Sequence, residues 1–471
     1  MDAHRDRYGR RPDLMSRRPR IGLVTPSFRL FDEQMPASFR AGLVDRAERF
    51  RAVLASEFEV AHWGLVSDSR DAGEANEHLK AGRIEVIVVA PTMAAPPGYS
   101  EDATSGLDAP TVIWNTATTK RLPDGLDQAA AHEDTALLGA LMFANTMVRS
   151  GTAPIVVSAS PEDPVQVRRV RETVRAAAAA VALRRANVIR IGDPIPGYTN
   201  VLATGDELAT LGVTEHSVGI DELADEFAAA GRGAAGEISA RIAELGWTGD
   251  ADRRSRRLAA AIRRLVDSLD ADCGTVNCHG PWFRSSPDIG IVGCLGVSLC
   301  AASGVPISCT GDLPTALAMK LARDIAGASL YCEIFAFESE TGLALLANSG
   351  EGDPATGNGT PHMEPTQYYP GRHGRGTALS FPITSGPVTL VSLTPTDRTW
   401  RLACATGEIV ESRYPGLGAP NGMFRFDGGG TAAIDRWLAA GPVHHHALAP
   451  GRIAEPLTVA ARVLGAEYMA V

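Results

Sequence analysis

Residues 274–320 read GTVNCHGPWFRSSPDIGIVGCLGVSLCAASGVPISCTGDLPTALAMK, one full turn of an α/β rhythm. The apolar run 275–278 predicts a strand that ends on polar Asn277 and His279. A helical stretch follows, then a second strand at 306–309, which leads into Thr310-Gly311-Asp312. Asp312 is placed to cap a helix over 313–325, with Pro314 in its first turn and Gly327 as its stop. Ligand-binding groups collect at the carboxyl ends of parallel strands, where the next loop opens a crevice. Asn277, His279 and Trp282 are therefore candidates to line one, and Asp312 is a candidate for both a capping role and a site role.

The same rhythm extends toward the N-terminus. Short apolar runs at 21–25, 58–62, 84–90 and 111–114 read as strands, with helical stretches such as 41–56 between them, which implies a parallel sheet. Helical periodicity runs over 132–149, with Gly151 as a stop. A second α/β unit is expected to begin with a strand at 155–158, followed by an Ala/Arg-rich helix over 166–185 and further strands at 188–191 and 217–220. The amphipathic stretch 252–269 carries Arg253, Arg254, Arg256, Arg257, Arg263 and Arg264, read as a solvated outer face. Beyond 327 the long helices stop. Short β runs at 343–347, 377–381, 388–393, 400–405 and 408–410, punctuated by Gly and Pro, predict an antiparallel sheet or barrel, and a helix over 454–464 closes the chain.

Composition narrows the function. A net charge of −10 argues against a nucleic-acid binder, and no apolar run reaches the length of a membrane span. The basic segment 1–19 has no apolar stretch behind it and reads as a flexible tail, not a secretory signal. Seven cysteines without CxxC spacing fit reduced, buried thiols, so a cytoplasmic location is expected. Gly231-Arg-Gly-Ala-Ala-Gly236 matches GxGxxG but follows an alanine-rich helical stretch instead of a strand, so no nucleotide cofactor is expected.

Three further features carry chemistry. Glu333 lies in Leu-Tyr-Cys-Glu-Ile-Phe, an apolar context where a carboxylate is costly unless it is paired or bound to a metal. Asn348-Ser349-Gly350-Glu351-Gly352-Asp353 is a polar, glycine-rich turn after an apolar run, readable also as a plain solvated turn. His444-His445-His446 offers imidazoles, common metal ligands, although alternation along a strand lets only one or two of them face a site.

Taken together, these residues resemble the L-fucose and L-arabinose isomerase-like family over nearly the whole chain from about Arg20. Ala131-His132-Glu133-Asp134 looks like the family's AHG-containing helix start, and Arg190-Ile-Gly-Asp-Pro-Ile-Pro-Gly197 like its RxGxPxPGF segment. Residues 306–319, PISCTGDLPTALAM, are similar to PxACExDLxGALTM, and 443–451, VHHHALAPG, to the HHxALxPG ending. The resemblance implies two Rossmann-like parallel-sheet domains, at 20–152 and 153–327, followed by a C-terminal antiparallel β-barrel domain at 328–471. It also implies homo-trimers or homo-hexamers with the active site between subunits, where His132 reaches in from a neighbour.

The implied chemistry is aldose–ketose interconversion of a sugar through an enediol. A divalent ion, Mn²⁺ in type, is held by carboxylates and histidine, and carboxylates move the proton. Carried over residue by residue, one carboxylate falls on Glu333 and the C-terminal histidine on His444 or His445, with His445 favoured. The other carboxylate falls on Thr310 and a further family histidine on Asn348, so two of the usual three ligands are left. Asp312 is a substitute carboxylate. Thr310, Asn348 and His444 become candidates for substrate contact. The departures leave three readings: an isomerase or a related epimerase or lyase on a polyhydroxylated small molecule; a catalytically silent sugar-binding paralogue; and metal-free chemistry on a Cys309 thiolate at a helix N-terminus.

Overall fold

The computed structural model describes residues 18–117, 121–122, 124–125, 135–280, 283, 286–367 and 376–471. They fall into two units, one ending at Val181 and the other running from Ala182 to Val471. The tail expected at 1–19, apart from residues 18 and 19, lies outside the described residues, as do His132 and Trp282.

The first unit is built on β1 (Arg20–Pro26), β2 (Glu59–Val66), β3 (Val86–Val89), β4 (Thr111–Asn115) and β5 (Ile155–Ser158), in the order β2-β1-β3-β4-β5. Every pairing is parallel. β3 is Val-Ile-Val-Val and wholly buried, which suits a central strand covered on both faces. Val24, Leu79, Ile87, Ile113 and Phe143 share the core with it. The strand 155–158, expected to open the second unit, belongs here instead. Ile155–Ser158 pairs with 112–115, and its alternating burial marks a sheet edge.

The second unit contains β6 (Asn187–Ile191), β7 (Thr214–Val218), β8 (Thr248–Gly249), β9 (Cys273–Val276) and β10 (Ile307–Cys309). Four of them make a parallel sheet in the order β10-β9-β6-β7. Gly274 of β9 is required there, since a Cβ would stand 2.2 Å from the Ile189 carbonyl oxygen. After it come β11 (Leu330–Glu338), β12 (Leu343–Ala347), β13 (His362–Pro365), β14 (Thr377–Ser380), β15 (Gly386–Pro395), β16 (Trp400–Glu411), β17 (Asn421–Phe426), β18 (His445–Pro450) and β19 (Glu467–Ala470).

The large sheet runs β15-β18-β11-β12-β17-β16-β19, and β15 also pairs with β16, so six antiparallel strands pair in a closed circuit. The expectation of a purely antiparallel sheet is corrected at β19, which pairs parallel to β16. The runs 400–405 and 408–410 form the single strand β16, whose register with β17 slips between Ile409 and Glu411. Nor does the core respect a boundary at 327. Ile238, Ala259, Leu295 and Leu299 from the preceding helices cluster with Leu346, Leu390, Phe424 and Leu448 of the large sheet.

One helix departs from expectation and another follows it. Asp252 caps the helix Arg253–Ser268 through Ser255 N–H, but its arginines are not simply solvated. Arg257 donates to the Phe227 and Ala230 carbonyls, and Arg254 to those of Asp288 and Ile289. The GxGxxG glycines open the helix Arg232–Glu244 directly after the helix Ile220–Ala229, without the strand a dinucleotide site needs. No helix among the described residues is long and apolar enough to cross a membrane.

Candidate active site

Strand pairing sets the site. β11 and β18 run antiparallel with Glu333 opposite His445 and Cys332 opposite His446. Directly opposed residues share a face and neighbours alternate, so Tyr331, Glu333 and His445 look one way while Cys332 and His446 look the other. His446 is accordingly spent on structure, its Nε2 accepting from Trp437 Nε1 at 3.0 Å. His444 precedes the first residue of β18, before the alternation begins. It therefore joins His445, their ring centroids 3.6 Å apart. One ligand atom each of Glu333, His444 and His445 lie within 4.8 Å of one another.

Asp312 stands behind this trio. It caps the helix Leu313–Ala326, its Oδ1 accepting from Thr315 N at 2.8 Å. Its Oδ2 accepts from Thr315 Oγ1 at 2.8 Å and meets His445 Nδ1 at 2.7 Å. Both carboxylate oxygens are thus committed, and Asp312 orients an imidazole instead of offering itself as a ligand. With the Nδ1 proton aimed at Asp312, His445 Nε2 carries the lone pair a cation uses. The Asn200 amide meets His444 Nδ1 at 2.8 Å. The amide atom at that distance is Nδ2; turned about so that its oxygen faces the ring, the amide would accept from Nδ1–H and leave Nε2 of His444 as a donor atom as well.

Burial governs the charges. It lowers His445 to about 3, and burial with the neighbouring His445 lowers His444 to about 4, so both rings are neutral near pH 7. Burial raises Glu333 to about 7 and Asp312 to about 7. Two neutral imidazoles and one carboxylate make a donor set that suits a divalent first-row ion. Tyr331 packs its ring 4.8 Å from that of His445, and its buried hydroxyl has no hydrogen-bond partner.

Other expected site residues fall elsewhere. Asn348 is buried, and its Nδ2 donates to the carbonyls of Tyr331 and Glu351, both at 2.7 Å, while its Oδ1 accepts from Gly350 N. Both amide hydrogens are used, which removes it as a substrate-binding amide. Thr310 is buried with φ 62°, next to Gly311 at 77°, so a β-branched residue occupies the left-handed region. Such backbone costs about 1–3 kcal/mol and persists where surrounding structure imposes it. Asn277 Nδ2 donates to the Asp193 carbonyl at 2.5 Å, and its buried Oδ1 is unpartnered. Cys309 is not primed as a nucleophile, because a hydrogen bond with Cys278 and burial push its thiol well above the ordinary range. His279 is half-buried, and its imidazole lies within 4.8 Å of the Cys278 and Cys309 sulfurs.

Sequence reasoning overlooked Tyr331, Asn200 and Glu351. Tyr331 could have been found from its position two residues before Glu333 on one strand. Glu351 sat in a turn read as solvated, yet its carboxyl is buried, with Cys294 Sγ 3.5 Å from Oε2 and no partner for Oε1. No local signal marks Asn200.

Residues 330–467 match the L-arabinose isomerase C-terminal domain. Over 335 residues the chain is 22% identical to sulfoquinovose isomerase of Priestia aryabhattai, covering 66% of this chain and 70% of that protein. L-arabinose isomerase of Acidothermus cellulolyticus is 25% identical over 338 residues, 67% of this chain and 66% of that protein. L-arabinose isomerase of a Nocardioides species is 25% identical over 398 residues, 78% of this chain and 77% of that protein.

Proposed function

This chain belongs to the arabinose and fucose isomerase-like family, and on that premise we propose that it interconverts an aldose and a ketose by proton transfer through an enediol. The observation that carries this reading is the trio Glu333, His444 and His445, gathered on one side of the β11–β18 pair. These three would hold a divalent ion of the Mn²⁺ type, which when bound polarises the sugar's carbonyl and hydroxyl oxygens.

The chain's own groups supply the remainder. Glu333 is the base: proton abstraction beside a carbonyl needs a carboxylate close to the C–H bond, and Glu333 stands beside the two histidines that would share the ion. Asp312 holds His445 in one tautomer and orientation. The Tyr331 hydroxyl, on the same face as Glu333, is a donor for a substrate oxygen. Thr310 lines the turn beside them. A cytoplasmic homo-trimer or homo-hexamer with sites completed between copies is part of this reading.

The test is incubation of the Mn²⁺-loaded protein with a panel of aldoses in heavy water. Ketose formation with deuterium entering at the carbon next to the carbonyl supports the enediol. Sugar binding without ketose or exchange overturns it and favours the silent, sugar-binding paralogue, a second reading supported by the neutral Thr310 and the inward-turned Asn348.

A further inference from the structure

A second group of ligand-type side chains lies at the ends of β9 and β10. Cys309 is the last residue of β10 and pairs with Val276, the last of β9. Just past β9 the chain turns, with Gly280 N–H donating to the Asn277 carbonyl, so Cys278 and His279 leave strand alternation. Ligand atoms of Cys278, His279 and Cys309 lie within 4.8 Å of one another. Both cysteines are buried, while half-buried His279 provides the approach from solvent.

A separate observation points into the same place. Glu351 is 1% exposed, its Oε1 has no partner, and it stands near enough to Cys278 and Cys309 to interact with them electrostatically. A buried carboxyl oxygen without a partner is costly, and a cation among the thiols removes that cost.

We propose that Cys278, His279 and Cys309 form a second cation site selective for a zinc-class ion, with the buried Glu351 carboxyl close by to balance its charge. Two sulfurs and an imidazole are softer donors than Glu333 with two imidazoles, and they select Zn²⁺ or Co²⁺ over Mn²⁺ and Mg²⁺. Three protein donors leave the fourth tetrahedral position to water. It ties the end of β10 to the turn that follows β9. The two thiols leave as thiolates, each releasing its proton to solvent as the ion enters. This site stands independently of the isomerase reading.

Titrating the chelator-treated full chain with Co²⁺ tests it. The expected result is a thiolate-to-cobalt charge-transfer band with intense tetrahedral visible bands, saturating at one ion per chain and bleached by Zn²⁺. Cys278→Ser and Cys309→Ser should each at least halve the charge-transfer band and the double substitution should abolish it, whereas Glu333→Gln and Cys404→Ser should retain it. Weak octahedral bands without charge transfer, or a full band in both serine variants, would overturn the site. If the serine variants do not fold, X-ray absorption of the zinc-loaded wild type decides. A sulfur shell at about 2.3 Å supports the proposal, and a shell of nitrogen and oxygen alone refutes it.

Discussion

Two polar, glycine-containing turns close the strands nearest the candidate active site: Cys309-Thr310-Gly311-Asp312 after β10 and Asn348-Ser349-Gly350-Glu351-Gly352-Asp353 after β12. Both are buried. In the second, polar groups are taken up by structural partners, Glu351 Oε1 excepted. Asn348 bonds three backbone groups, and Gly352 N–H donates to Ser298 Oγ. Asp353 takes the Arg323 guanidinium and the Ser329 and Ala355 N–H groups. In the first, one carboxylate oxygen reaches outward to His445. A buried turn satisfies its own polar atoms whether or not it serves chemistry. What separates the two is the partner: the second turn's side chains bond backbone groups and Arg323, whereas one oxygen of Asp312 goes to an imidazole of the candidate trio.

The sharpest way to break this contrast is Glu333→Gln. Loss of the base should cut kcat by about 10²–10⁴-fold at saturating sugar and metal. Turnover close to wild type in a steady-state assay would remove Glu333 from the chemistry.

Asp312→Asn comes next. Asn still caps the helix but no longer accepts the His445 proton as a carboxylate, so Mn²⁺ affinity should fall by about 10–100-fold with little change in unfolding midpoint. Calorimetric titration checks the first part and urea unfolding the second. An unchanged Mn²⁺ affinity would make Asp312 a cap alone.

Asn348→Ala should do the reverse. Leaving the Tyr331 and Glu351 carbonyls without their donor should cost about 1–3 kcal/mol of stability, read by urea unfolding, while KM of the folded fraction stays put. A KM rise without destabilisation would return Asn348 to the substrate.

The smallest effect is expected at Thr310. Thr310→Gly relieves a left-handed β-branched residue worth about 1–2 kcal/mol and adds back unfolded-chain entropy of about 1 kcal/mol. Thermal unfolding should therefore shift upward slightly or not at all. A marked loss of stability would mean that the Thr310 side chain holds the turn together.

Local physics was readable from the sequence, and pairing over distance was not. Asp312 was recognisable as a cap because capping involves residues within one helical turn. The strand at 155–158 was visible as an apolar run, but its sheet was not, since either neighbour could take a short Ile-Val-Val-Ser edge. The histidine triplet was expected to divide, and only the β11–β18 register shows that His446 is the one turned away. Asn348 and Glu351 were misread for one reason: Gly-rich polar turns usually face water, and nothing within a few residues announces that Leu330 and Phe381 cover Gly352.

Asp312 and His445 meet across 133 positions of chain. Closing so long a loop carries an entropic cost that local contacts do not offset, so contacts of this kind form late in folding. The helix behind Asp312 can assemble early, but the imidazole it waits for arrives only when β18 docks beside β11. A chain arrested before that docking keeps much of its secondary structure and none of its reactive centre. Any ion that binds the finished trio then draws the population toward the completed sheet by mass action.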